Sequence, residues 1–208
     1  MDMEKIALII VDMQNDFIHE KGFVMKSTEG LDIPKNALAG IRAPIPYIGE
    51  LAGAFRKAGK DVIYIYTAWK PDYSDVAIPL GKMKDKGREA GSLVEGSWGA
   101  QIIDELAPQK TDRMVLKKAY GGFFQTSLDR LLRNLDIKTL VMTGVATNYC
   151  VETTSREAVA YGYDIIFVSD GTGTFDPEGH KATLKVMGNG FGEVKSTAEV
   201  IALLSKKA

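Results

Sequence analysis

The feature that most constrains the fold is a series of short, nearly continuous apolar runs, each closed by a polar or turn residue and followed by a stretch with helical spacing. IALIIVD, DVIYIY, LVMTGV and IIFV are too short for helices of a compact domain and too uniformly apolar for strands with one wet face. Strands of this kind belong to parallel sheets covered on both sides. The strands expected are Ile6 to Asp12, Asp61 to Tyr66, Met114 to Lys117, Thr139 to Gly144, Ile165 to Ser169 and a short one from Glu193 to Lys195.

Helix signals fall between them. Pro46 opens a segment in which Leu51 and Phe55 lie four apart and Gly59 can end the helix. Thr126 is placed to cap SLDRLLRNL, with Asp129 in the position of a capping box. Thr147 or Asn148 can start a helix that carries Cys150, and Ser196 or Thr197 can start the last one, with Glu199 in its first turn. Alternating strands and helices with right-handed crossovers predict an α/β fold, a three-layer α/β/α sandwich with a mainly parallel, doubly wound sheet of about six strands. With 208 residues, one domain over 1–208 is expected. Ser27 to Pro46 and Lys70 to Gly99, rich in Gly, Pro and charge, break the rhythm and are expected to be lids or oligomer contacts.

Composition removes several kinds of chemistry. A net charge of -1 without a basic block argues against a nucleic-acid partner. IALIIV is too short for a membrane span, so no membrane partner and a cytoplasmic location are expected. One cysteine forbids an internal disulfide, and two histidines, His19 and His180, leave no histidine-rich metal site. Neither histidine lies at a strand end or in a nucleophile-elbow pattern, so an activated cysteine here would need another base.

In open α/β sheets the ligand crevice lies beyond the carboxyl ends of the strands. Asp12 closes the first strand, Lys117 the third, and Cys150 follows the fourth at the start of a helix. A thiolate there can attack a carbonyl, Asp12 can carry its proton to a leaving amine, and Lys117 together with the helix dipole is expected to lower the thiol's pKa. Backbone N–H groups of GVATNYC can face the oxyanion. Each residue also has a plainer reading: an inert buried cysteine, a turn aspartate, a solvated lysine.

IALIIVDMQNDF resembles the opening signature of the isochorismatase-like cysteine hydrolases. LKKAYGGFFQTSLDRLLR resembles their lysine segment, and LVMTGVATNYCVETTSREAVAYGYDIIFVSDG their nucleophile segment. The resemblance implies Asp12 as general acid and base, Lys117 as stabiliser and Cys150 as nucleophile. It also implies a cis peptide between Val145 and Ala146 that brings the Ala146 N–H, with that of Cys150, into an oxyanion hole. No cofactor and a homo-oligomer, dimer or tetramer, are implied as well.

Within the family, nicotinamidases carry a metal-binding Asp-x-His after the second strand. YTAWKPD stands here, so no metal is expected and nicotinamide is disfavoured. GSWGAQIIDELAP and the lysine and cysteine segments look most like the ureidoacrylate amidohydrolase branch, with biuret hydrolases and N-carbamoylsarcosine amidases beside it. That branch tends to carry an arginine two residues after the catalytic lysine, where this chain has Ala119.

A small amide, carbamoyl or ureido compound is the expected substrate, cleaved at a C–N bond. The alternatives are another carboxamide hydrolase, of nicotinamidase or maleamate type, or a non-catalytic binding protein on the same fold. Vinyl-ether hydrolysis of the isochorismatase type is disfavoured, because the branch that performs it lacks the cysteine. Phe17 matches a ring-stacking position, and Trp69, Tyr120 and Phe123 are aromatic candidates for the same pocket, the latter two equally suited to core packing. Asn148 either donates to a substrate oxygen or caps the Cys150 helix.

Overall fold

The computed structural model describes residues 1–26, 37–77 and 82–205. Six strands form one sheet, all parallel: β1 Ile6–Val11, β2 Asp61–Thr67, β3 Arg113–Lys117, β4 Thr139–Val145, β5 Asp164–Gly173 and β6 Glu193–Lys195. Their order, β3-β2-β1-β4-β5-β6, reverses direction between β1 and β4. That reversal is the switch point at which doubly wound sheets open a crevice.

Alternate residues of each strand feed opposite layers. Ile6, Leu8 and Ile10 of β1 join Val62, Tyr64, Val141 and Ile166 against Ile48, Leu51 and Phe55 of the Ile45–Lys57 helix and Val200 of the Thr197–Ser205 helix. Ala7, Ile9 and Val11 join Ile63, Val115, Met142 and Phe167 on the other face. There they meet Leu128 and Leu132 of the Leu128–Asn134 helix, Ala158 of the Glu152–Ala160 helix and Met187 of the Pro177–Gly190 helix. Every residue of β1 and β4 is buried, which is why their sequences read as nearly continuous apolar runs. The three-layer expectation and the parallel sheet are thus found.

Local departures have local causes. The sheet continues in β5 to Gly173, past the expected end at Ser169, because the β4 to β5 register shifts between Met142 and Gly144 and then pairs Gly144 with Thr172 and Val145 with Gly173. Asp129 does not close a capping box; its carboxylate accepts from Arg133 and from the Tyr163 hydroxyl, while the Thr126 hydroxyl accepts the Leu128 N–H at 3.1 Å. Ser196 and Glu199 do form a reciprocal cap. The Pro177–Gly190 helix, capped by Asp176 through the Gly179 N–H, had no counterpart in the sequence reading.

Within Lys70 to Gly99 lies a helix, Lys82–Ala90. Residues 78–81 of that segment, and 27–36 of Ser27 to Pro46, are outside the described residues; Ala37–Arg42 is helical. Among the described residues no helix is long and apolar enough to cross a membrane.

Candidate active site

The ends of β1, β2, β3 and β4 converge at the switch point. Gly144 makes the closest approach possible: its φ is 108°, and a Cβ there would stand 2.1 Å from the Val11 carbonyl oxygen. Asp12, the next residue on that neighbouring strand, takes a left-handed φ of 51° while its N–H still donates to Ile65. Such conformations outside glycine favour Asp and Asn and concentrate at functional sites.

The Asp12 carboxylate, 1% exposed, lies 2.8 Å through Oδ2 from Nζ of Lys117, which is equally buried. Lys117 Nζ also donates to Thr67 Oγ1 at 2.8 Å, to the Ala119 carbonyl at 3.0 Å and toward Cys150 Sγ at 3.5 Å. The Thr67 hydroxyl donates onward to Asp12 Oδ1 at 3.0 Å. Thr67, the last residue of β2, was missed because the expected strand stopped at Tyr66. Its signal was a hydroxyl at a strand end beside an expected aspartate and lysine.

Cys150 sits in a single π turn, Thr147–Val151, that leads from β4 into the Glu152–Ala160 helix. The helix expected to start at Thr147 and carry Cys150 is therefore found, with a first turn that is π rather than α. The expected lowering of the thiol's pKa is reversed: burial pushes it up to about 12, Lys117 opposes that, and the negative charge of Asp12 adds to it. Lys117 loses ground to burial but gains more from Asp12 and Cys150, and its pKa is raised. The resting arrangement is a neutral thiol beside an ion pair.

A cavity of about 440 Å³ opens over these groups, within the usual size range of small-molecule sites. Phe17, Trp69 and Tyr120 line it as expected, and Ala146 is on its wall beside Cys150, after a cis Val145–Ala146 peptide. Leu93 and Ser92 bring the Lys70 to Gly99 segment onto the same chain's pocket. Asp16 fixes that wall: its buried carboxylate accepts the Leu93 N–H at 2.7 Å and the Ser92 hydroxyl at 3.2 Å.

Two sequence candidates belong elsewhere. Phe123 is 4% exposed and stacks on Tyr161 at 5.1 Å, because Gly121 and Gly122 carry the chain away from the cavity and onto Thr154 and Glu157. Asn148 neither caps its turn nor lines the cavity; its carboxamide joins the Thr174 hydroxyl at 2.8 Å and Asp176 at 3.2 Å. Neither histidine lines the cavity: His19 packs on Trp98, and His180, its pKa lowered by burial, pairs with the Thr147 hydroxyl. Among the described residues, no three His, Cys, Asp or Glu side chains gather where they could hold a metal ion.

The isochorismatase domain family matches residues 6–199. A ureidoacrylate amidohydrolase, RutB, of Azorhizobium caulinodans is 35% identical over 95% of this chain and 89% of its own. A cysteine hydrolase of Pseudomonas syringae pv. phaseolicola superposes with a TM-score of 0.83 at 30% identity, covering 99% of this chain and 95% of that one. The N-carbamoylsarcosine amidase of Thermoplasma acidophilum superposes with a TM-score of 0.72 at 28% identity, over 93% and 96% of the two chains.

Proposed function

This chain belongs to the isochorismatase domain family, and on that premise we propose that it is a cysteine amidohydrolase, needing no metal or cofactor, that cleaves a C–N bond of a small amide, carbamoyl or ureido compound. The observation that carries the reading is the meeting of Asp12, Lys117 and Cys150, with Lys117 Nζ 2.8 Å from the carboxylate and 3.5 Å from the sulfur. The name borne by the A. caulinodans relative favours a ureido substrate.

The chemistry follows from the charges. As the sulfur attacks the carbonyl carbon, the thiol proton passes to Asp12, and Lys117 steadies the thiolate. Backbone N–H groups of Ala146 and Cys150 receive the oxyanion. The C–N bond breaks as Asp12 returns the proton to the departing ammonia or amine. Water then gives a proton to Asp12 and attacks the thioester or thiocarbamate, releasing the acid and restoring the thiol. Phe17, Trp69 and Tyr120 flank the planar group.

One domain over 1–208, a homo-oligomer of two or four chains and a cytoplasmic setting, where a free thiol stays reduced, complete the reading. A panel of carboxamides and ureides should release ammonia with the wild-type protein and not with Cys150→Ala. Equal turnover by the variant removes the covalent mechanism. Sedimentation tests the assembly.

A further inference from the structure

The amidohydrolase reading leaves open what lies beyond the scissile carbonyl, and the charges around the cavity bear on it. Among the described residues, two lysines line the pocket. Lys117 is matched by Asp12 at 2.8 Å. Lys118, the next residue, turns its ammonium to Asp75 at 2.6 Å, to Glu95 at 2.7 Å and to the Ala68 carbonyl. Both of these cations are therefore neutralised by carboxylates of the protein itself.

A further carboxylate, that of Asp176, also lies on the wall, where it accepts from the Gly179 N–H at 2.9 Å and the Asn148 amide at 3.2 Å. Two residues past Lys117 the chain offers only the methyl group of Ala119, whose carbonyl holds the Lys117 ammonium. Much of the remaining surface is hydrocarbon: Phe17, Phe23, Val24, Ile41, Leu93 and Phe175.

Resting on the amidohydrolase reading, we infer that this pocket selects an uncharged amide or ureide with an apolar group beyond the carbonyl, and rejects one that carries a carboxylate there. A ureidoacrylate is such a carboxylate. Placed against this wall it would lose its hydration and meet two lysines already paired and the carboxylate of Asp176. An alkyl or aryl group in the same place exchanges water for Phe, Val, Ile and Leu side chains. On this reading the chain cleaves the kind of bond for which the A. caulinodans relative is named, in a substrate whose far end carries no charge.

The test uses probes matched at the scissile group. Ammonia release is measured with acetamide, propionamide and butyramide, and with the pair N-butylurea and N-carbamoyl-β-alanine. Binding of each to Cys150→Ala is measured by calorimetry. kcat/KM should rise about fourfold per methylene along the amide series. N-butylurea should exceed N-carbamoyl-β-alanine by roughly a hundredfold or more, the discrimination expected when a charge is buried without a cationic partner. Phe175→Arg, which places a cation on the wall, should narrow or invert that ratio. Equal or better turnover of the carboxylate overturns the inference and leaves the amidohydrolase reading standing. Neither turnover nor binding of any probe overturns both.

Discussion

Replacing Lys117 by Met keeps most of the side chain's volume and removes its charge. Asp12, 1% exposed, would keep the Thr67 hydroxyl as donor and lose the ammonium 2.8 Å away. Breaking one side of a buried ion pair costs about 3–5 kcal/mol, because the remaining charge is buried without compensation. For a chain of this length each kcal/mol moves the melting temperature by about 2–4 °C, so Lys117→Met should melt roughly 6–20 °C below wild type. Adding Asp12→Asn removes the stranded charge, and the carboxamide can still meet the Thr67 hydroxyl. The double variant should therefore recover a large part of the loss while both variants remain inactive. Urea unfolding at pH 7, followed by the fluorescence of Trp69 and Trp98, gives the three stabilities. A Lys117→Met loss below about 1 kcal/mol, or a double variant less stable than the single, would refute a tightly coupled buried pair.

The Cys150 thiol, held near 12 by burial, should alkylate with iodoacetamide at a rate that climbs about tenfold per pH unit up to at least pH 10, and a plateau below pH 8 would contradict a protonated resting state. The same shift has a stability consequence: the unfolded thiol ionises near its ordinary 9.0 while the folded one keeps its proton, so stability falls as pH rises from about 9 toward 12, an effect Cys150→Ala should abolish. Thr67→Val removes a hydrogen bond to a charged carboxylate, worth about 1.5–3 kcal/mol, and should lower kcat roughly 10- to 100-fold with little change in KM; Thr67→Ser should stay near wild type, and equal loss in both would deny the hydroxyl its role. Gly144→Ala forces a Cβ onto Val11 at a φ of 108° and should cost roughly 2–6 kcal/mol in thermal unfolding, whereas a near-neutral result would mean the β1 to β4 approach is not held as described.

Where residues met through the strand pattern alone, the sequence was readable. Asp12 follows a wholly buried strand, Lys117 ends a shorter and partly exposed one, and Cys150 follows a second wholly buried strand; a parallel sheet must align the ends of all three, so their convergence needed no knowledge of side-chain contacts. Phe123 and Asn148 fail for the complementary reason. Two glycines decide which side of the loop Phe123 faces, and the partners of Asn148, Thr174 and Asp176, lie 26 and 28 residues further along the chain. The extension of β5 depends on a register shift that residues reading DGTG do not announce. The direction of the thiol's pKa turned on burial, which a helix-dipole argument leaves out.

That burial is also what makes the charge balance of the site matter. At rest the buried groups hold one negative carboxylate, one positive ammonium and one neutral thiol, with Lys117 kept firmly in its charged form. After the thiol proton reaches Asp12 there is a neutral acid, the same ammonium and a thiolate. The net charge is zero in both states, so the proton moves without adding net charge to a poorly solvated cavity, and the ammonium is within reach of either anion. A histidine base would instead become a second cation, and the sheet gives it no place: both histidines lie away from the cavity. The same neutrality sets what the pocket tolerates. A neutral amide leaves the balance intact, whereas a substrate carboxylate adds an anion to the same cavity at the moment when the Cys150 sulfur becomes one, which raises the barrier to attack as well as the cost of binding.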